Sequence, residues 1–334
     1  MAIPSSRMLG RYQLLDVVGA GRLGPVYRAL DHAGRREVAM RVLPDDLTRD
    51  LVVRANFAPW AALLAGLRHP NLMPVLEYGG AGDTLYLVMP YVRGISLKDF
   101  LQRGPLPYDG LTWYAQQLAD GLDALHAQGL VHRNVKPSNV LIDERGQLFL
   151  HGYGLVARAD GAGALIPGGK ALGSFTYMAP ETAHGRADAR ADLYALGAIV
   201  YELLAGRPPF LGANRAEVLM RHLYDPVPLV PLYSAARPVP AAALPVVQRA
   251  LAKQPAERYR SGRDLVLALA QALGLAGGGV PVATSHPSPP PPAAPTQQGD
   301  PEQRLLLIAG ALLAALIGLL VVIAVALVLV PRLR

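Results

Sequence analysis

Apolar and polar positions change their spacing once along this chain, near residue 90. Ahead of that point, Tyr12 to Val18, Val26 to Leu30 and Val38 to Leu43 are short alternating or β-branched runs between turn residues, which predicts an antiparallel sheet. Beyond it, apolar residues recur at intervals of three and four. Leu111, Ala115, Leu118, Leu122 and Leu125 mark one face of a helix, with Gly129 expected at its C-terminal cap. Strands first and helices afterwards imply an α+β chain of two lobes, without internal repeats.

Two later stretches follow neither period. Residues 275–301 hold eight prolines and four glycines and offer little to bury, as expected of an extended linker. Residues 305–330 are 26 positions without a charge or a proline. At about 1.5 Å per residue such a helix is roughly 39 Å long, enough to cross a bilayer core of about 30 Å. A transmembrane helix is therefore expected there, with 331–334 as a short tail. Gly310, Ala314 and Gly318 recur every four residues on it, a spacing that lets a second helix approach and makes a homodimer through the span one expectation. The first residues lack the apolar core of a secretion signal. The expected arrangement is a single-pass protein of the cell membrane, its globular part cytoplasmic and its last four residues outside.

Composition narrows the chemistry. The 334 residues carry a net charge of +7, yet the basic side chains are scattered, which argues against a nucleic-acid partner. The absence of cysteine excludes disulfides, thiolate metal sites and a cysteine nucleophile. Only four of the 32 basic residues are lysines: Lys98, Lys136, Lys170 and Lys253. An arginine at a lysine position is thus partly a matter of composition.

Gly19-Ala20-Gly21-Arg-Leu-Gly24 has the G-x-G-x-x-G spacing. It runs into Pro25-Val26-Tyr27, which reads as a strand rather than a helix, so it is not a dinucleotide fingerprint; no Gly-Lys-Ser/Thr follows, so it is not a Walker loop. A glycine loop between antiparallel strands is suited to lie over phosphates, its backbone N–H groups unobstructed by side chains.

From about residue 11 to residue 273 the chain resembles the bacterial serine/threonine protein kinases. Val38-Ala39-Met-Arg41 stands where the family has Val-Ala-x-Lys, and His69-Pro-Asn71 follows the expected helix. Leu87-Val-Met89-Pro-Tyr91 resembles the segment joining the lobes, and His132-Arg-Asn134-Val-Lys136-Pro-Ser-Asn139 the catalytic loop. Gly152-Tyr-Gly154, the run from Gly173 to Ala179-Pro-Glu181, Asp192 and Lys253 to Arg258 complete the order. The resemblance implies the two-lobed protein-kinase fold at 11–273, with an antiparallel-sheet N-lobe at 11–89 and a mainly helical C-lobe at 92–273. It also implies ATP or another nucleotide bound by Gly19, Ala20, Gly21, Gly24, Val26, Ala39, Arg41, Met89 and Tyr91, with Asn134 and Lys136 in the catalytic positions and Asn139 in a metal position.

Phosphoryl transfer depends on positioning and charge neutralisation, so the missing charges decide its fate. Arg41 keeps a cation but exchanges a compact ammonium for a planar guanidinium. Counting back from His69 places Trp60 where the family carries the glutamate that holds this cation, and Pro59 beside it is expected to disturb the helix. Asn134 replaces the aspartate that accepts the substrate proton, and an amide cannot act as that base. Gly152 replaces the metal-binding aspartate, which leaves Asn139 alone and argues against magnesium; the nitrogen of neighbouring His151 is a poor substitute. Lys136 is expected either to meet a phosphate or to pair with a nearby carboxylate. The reading is a membrane-anchored pseudokinase, a signalling or binding platform for other signalling or membrane proteins. Two alternatives stand beside it: an active but atypical serine/threonine kinase, and a structural membrane protein with an empty cleft.

Overall fold

The alternating runs of the first part form one six-stranded antiparallel sheet in the computed structural model, which describes residues 8–166, 175–185, 187–229 and 238–275. Its strands are β1 (Met8–Leu9), β2 (Tyr12–Gly21), β3 (Gly24–Asp31), β4 (Arg36–Val42), β5 (Glu77–Ala81) and β6 (Thr84–Pro90), in the order β1-β2-β3-β4-β6-β5. The pleat sends alternate side chains to opposite faces. Tyr12, Leu14, Tyr27, Ala29, Val38, Met40, Tyr86 and Val88 form a small core on one face. Val26, Ala39, Arg41 and Met89 fall on the other, and register sets Val26 opposite Arg41 and Ala39 opposite Met89.

A short helix α1 (Asp45–Thr48) leads from β4 to α2 (Leu51–Gly66). Asp50 caps α2, its side chain accepting from the backbone N–H groups of Val52 and Val53 at 2.8 and 3.2 Å. The expected disturbance at Pro59 is corrected here, because α2 continues through it. Proline removes the N–H that would reach the carbonyl of Ala55, four residues back. Both Ala55 and Pro59 lie on the exposed face, so water can meet that carbonyl. The opposite face buries Val53, Phe57, Trp60, Ala61 and Leu64. Packing along that stripe holds the helix despite the lost bond.

After β6 come β7 (Gly94–Ser96), α3 (Leu97–Leu101) and α4 (Tyr108–His126). Short strands β8 (Leu130–Val131), β9 (Val140–Asp143), β10 (Leu148–Leu150) and β11 (Ala157–Arg158) then pair as β10-β9-β7 and β11-β8. Helices α5 (Ala189–Ala205), α6 (Arg215–Tyr224), α7 (Ala243–Ala250) and α8 (Gly262–Ala272) complete the described fold. The stripe Leu111, Ala115, Leu118, Leu122 and Leu125 on α4 is buried, as its period requires. Gly129 is not the cap itself: α4 ends at His126, and the Gly129 N–H closes the following turn onto the His126 carbonyl at 2.8 Å.

Among the described residues no helix is long and apolar enough to cross a membrane. The expected span at 305–330, its proposed dimer face, the tail and all of the linker but Leu275 lie outside the described residues.

Candidate functional site

The described cleft has a volume of about 480 Å³ and is lined from both the sheet and the helical part of the chain. Its roof is the β2–β3 hairpin. Gly19, Ala20 and Gly21 line it, and Gly21 pairs with Gly24 so that Arg22 and Leu23 form the tip. The third glycine is demanded by the sheet itself. Gly24 has φ +90°, and a Cβ there would come within 2.1 Å of the Val42 carbonyl oxygen. The tip is folded down: Leu23 is buried, and a Cβ at Gly154 would lie only 2.7 Å from Leu23 Cδ1. The flap thus rests on the floor through an apolar contact.

Val26, Ala39, Met89 and Tyr91 line the side walls as the strand register requires. Arg41 projects among them, and its Nη1 donates to the Gly24 carbonyl at 3.2 Å. No carboxylate lies within ion-pair distance of it among the described residues. Burial pushes its guanidinium down to about 10, which still leaves it charged at neutral pH. Trp60, at the position expected to hold this cation's partner, is 1% exposed, with its ring 6.2 Å from that of Phe57. Its Nε1–H has no hydrogen-bond partner among the described residues.

The floor is the loop after β8. Asp192 of α5, buried to 1% exposure, accepts from the backbone N–H groups of His132 at 2.7 Å and Arg133 at 2.8 Å and faces His126 Nε2 at 2.8 Å. Burial alone would push its carboxyl up, but His126 and the other donors outweigh that and hold it below the usual range. These bonds fix Arg133 in a left-handed conformation, φ +63°, and thereby the course of the loop.

Along that loop both side-chain amides turn to main-chain carbonyls. Asn139 Nδ2 donates to the Asn134 carbonyl at 2.7 Å, and Asn134 Nδ2 points at the Gly152 carbonyl at 3.5 Å. Asn134 Oδ1 is buried without a partner among the described residues. Gly152 is left-handed at φ +88°, and a Cβ there would fall 2.5 Å from Asn139 Cγ. Next in the chain, Tyr153 is buried, and its hydroxyl is shared between the carbonyls of Met73 at 2.8 Å and Leu150 at 2.9 Å. Its ring meets that of His132 edge-on at 5.8 Å.

Lys136 lines the floor, and no carboxylate lies within ion-pair distance of it among the described residues. Burial, then the nearby charge of Lys98, lowers its pKa. His151 is pushed down to about 3, chiefly by burial and then by Arg41, His132 and Lys136, so its ring is neutral at physiological pH. Asp99 is the carboxylate on the cleft wall, and its Oδ2 accepts from Ser96 Oγ at 2.6 Å. Among the described residues no group of three or more histidines and carboxylates is placed to hold a metal ion.

Every residue that the sequence marked for the nucleotide, catalytic or metal positions lines this cleft except Gly24, which stands just behind the roof. Leu23, the Tyr153 hydroxyl and Asp99 were not anticipated. Leu23 carried one readable signal, an apolar side chain at the tip of an otherwise glycine-rich flap.

Comparison with known proteins agrees with this geometry. Residues 12–265 match the family model described as protein kinase domain. Serine/threonine-protein kinase PknD of Mycobacterium tuberculosis is 36% identical over 275 residues, covering 81% of this chain and 41% of PknD. Serine/threonine-protein kinase PrkC of Bacillus subtilis is 34% identical over 262 residues, 78% of this chain and 40% of PrkC. The chain therefore spans about two fifths of the length of these curated relatives. The crystal structure of the M. tuberculosis PknI kinase domain superposes with a TM-score of 0.64 at 29% identity, covering 82% of this chain and all of that one.

Proposed function

The chain belongs to the bacterial serine/threonine protein kinase family, and from that premise we propose that it is a membrane-anchored pseudokinase, a signalling or binding platform that retains a nucleotide-shaped cleft. The family implies ATP as the ligand. One observation carries the loss of transfer: the space in front of residue 152, where a metal-binding side chain would project, is filled by Asn139 turned onto the Asn134 carbonyl. Asn134 cannot take the proton of a substrate hydroxyl, which by itself removes roughly 10² to 10⁴ in rate. Loss of the metal carboxylate compounds that, because charge neutralisation is most of what such an enzyme supplies.

A cleft of about 480 Å³ nonetheless remains beneath the flap, and its floor is held in order by Asp192 and Tyr153. A binding role suits this combination. Anchoring rests on the uncharged run at 305–330, and the partners it implies are other signalling or membrane proteins.

The test is transfer of labelled phosphate by the full chain to itself and to a generic protein. The expected result is no turnover above an Arg41→Ala control. Turnover clearly above that control would instead make the protein an active, atypical serine/threonine kinase. Thermal denaturation with and without ATP is expected to show a shift, and its absence would leave a structural membrane protein with an empty cleft.

A further inference from the structure

The cleft wall has an unusual charge balance. Arg22, Arg41 and Lys136 line it, against the single carboxylate of Asp99, which is already bound to Ser96. Arg41 comes from strand β4 and Lys136 from the loop after β8, and both line the same cleft as the His151 ring. Neither has a carboxylate within ion-pair distance among the described residues. Both side chains are half-buried, and a partly desolvated cation without a carboxylate gains from an anion that meets it. Trp60 cannot serve that purpose for Arg41, and Gly152 supplies no side chain for Lys136.

A magnesium ion does not fit here. It takes a shell of oxygens with at least one carboxylate and keeps near-octahedral geometry. The groups facing the space are the amides of Asn134 and Asn139, already engaged with main chain on one side, and the ring of His151. A dication would also share the cleft with two cations that no carboxylate neutralises, and like charges there oppose its entry.

Resting on the nucleotide-binding reading above, we infer that the cleft takes a nucleoside triphosphate without its metal, and that magnesium opposes binding instead of assisting it. Arg41 and Lys136 stand in for the charge that a metal ion would bring. Free triphosphate carries the larger negative charge and so gains most from these two cations; chelating magnesium cancels much of that charge before binding.

Calorimetric titration of the solubilised full chain with ATP, once in EDTA and once in excess magnesium chloride, tests this. The expected dissociation constant in magnesium is about tenfold higher or more. Lys136→Met is expected to weaken binding in EDTA by about tenfold and to shrink the difference between the two conditions. Arg41→Lys, which keeps the charge, is expected to preserve the difference where Arg41→Met shrinks it. Equal or tighter binding in magnesium overturns the inference and leaves a nucleotide-binding cleft. No binding in either condition removes the nucleotide reading as well.

Discussion

The side chain of Asn139 occupies the space that any side chain on residue 152 would enter: a Cβ at Gly152 would lie 2.5 Å from Asn139 Cγ and 2.6 Å from Nδ2. The two positions at which the sequence led us to expect metal ligands thus share one filled volume.

An aspartate placed at residue 152 alone is therefore not expected to form a metal site there. Gly152→Asp must displace Asn139 from its 2.7 Å bond to the Asn134 carbonyl and place a non-glycine residue at φ +88°. The expected cost is about 1–3 kcal/mol of stability, from one lost hydrogen bond and left-handed strain. Denaturant unfolding reads the cost, and phosphotransfer by the single variant is expected to stay at background.

Tyr153→Phe isolates the two hydrogen bonds that tie this motif to Met73 and Leu150. Two buried carbonyls lose a donor while the ring contact with His132 remains. A loss of about 1–2 kcal/mol in unfolding free energy is expected.

Arg258 is buried to 3% exposure and forms a two-pronged pair with Glu181, at 2.6 and 2.7 Å, beside bonds to the carbonyls of Ala252, Arg190 and Lys253. Arg258→Ala strands a carboxylate and several carbonyls, and about 3–5 kcal/mol is the expected cost. Arg258→Lys is expected to recover only part of it, because an ammonium cannot form both prongs.

Acid lability has an identifiable source in His222, which is 0% exposed. Its Nδ1 accepts from the Tyr194 hydroxyl at 2.9 Å, its Nε2–H donates to the Thr176 carbonyl at 3.0 Å, and Lys253 Nζ donates to its own carbonyl. This pattern requires the neutral ring, and burial pushes its pKa down to about 4. Between there and the unfolded value of about 6.5 the unfolded state binds the extra proton. Stability is thus full above about pH 6.5 and falls by about 3 kcal/mol as pH drops towards 4. Unfolding measured across that range is expected to show this slope, and His222→Gln to flatten part of it; His151, pushed down to about 3, contributes in the same direction.

The sequence by itself determined the order of elements, because periods of two and of three to four are local properties of the chain. It also marked Asn134 and Gly152, neutral where the family resemblance leads one to expect a carboxylate, and Arg41, an arginine where it leads one to expect a lysine, without coordinates. Tertiary structure decided what fills their places. Pro59 reads as a helix breaker until its solvent-facing position is known, since the cost of a lost backbone bond depends on whether water reaches the orphaned carbonyl. The contacts of Asn139 with Gly152, Leu23 with Gly154 and Arg41 with Gly24 join positions 13 or more residues apart, and no local pattern encodes a distance across such separations. Whether a missing carboxylate leaves a gap, a filled volume or an unpaired cation is a question of packing, and only the folded chain answers it.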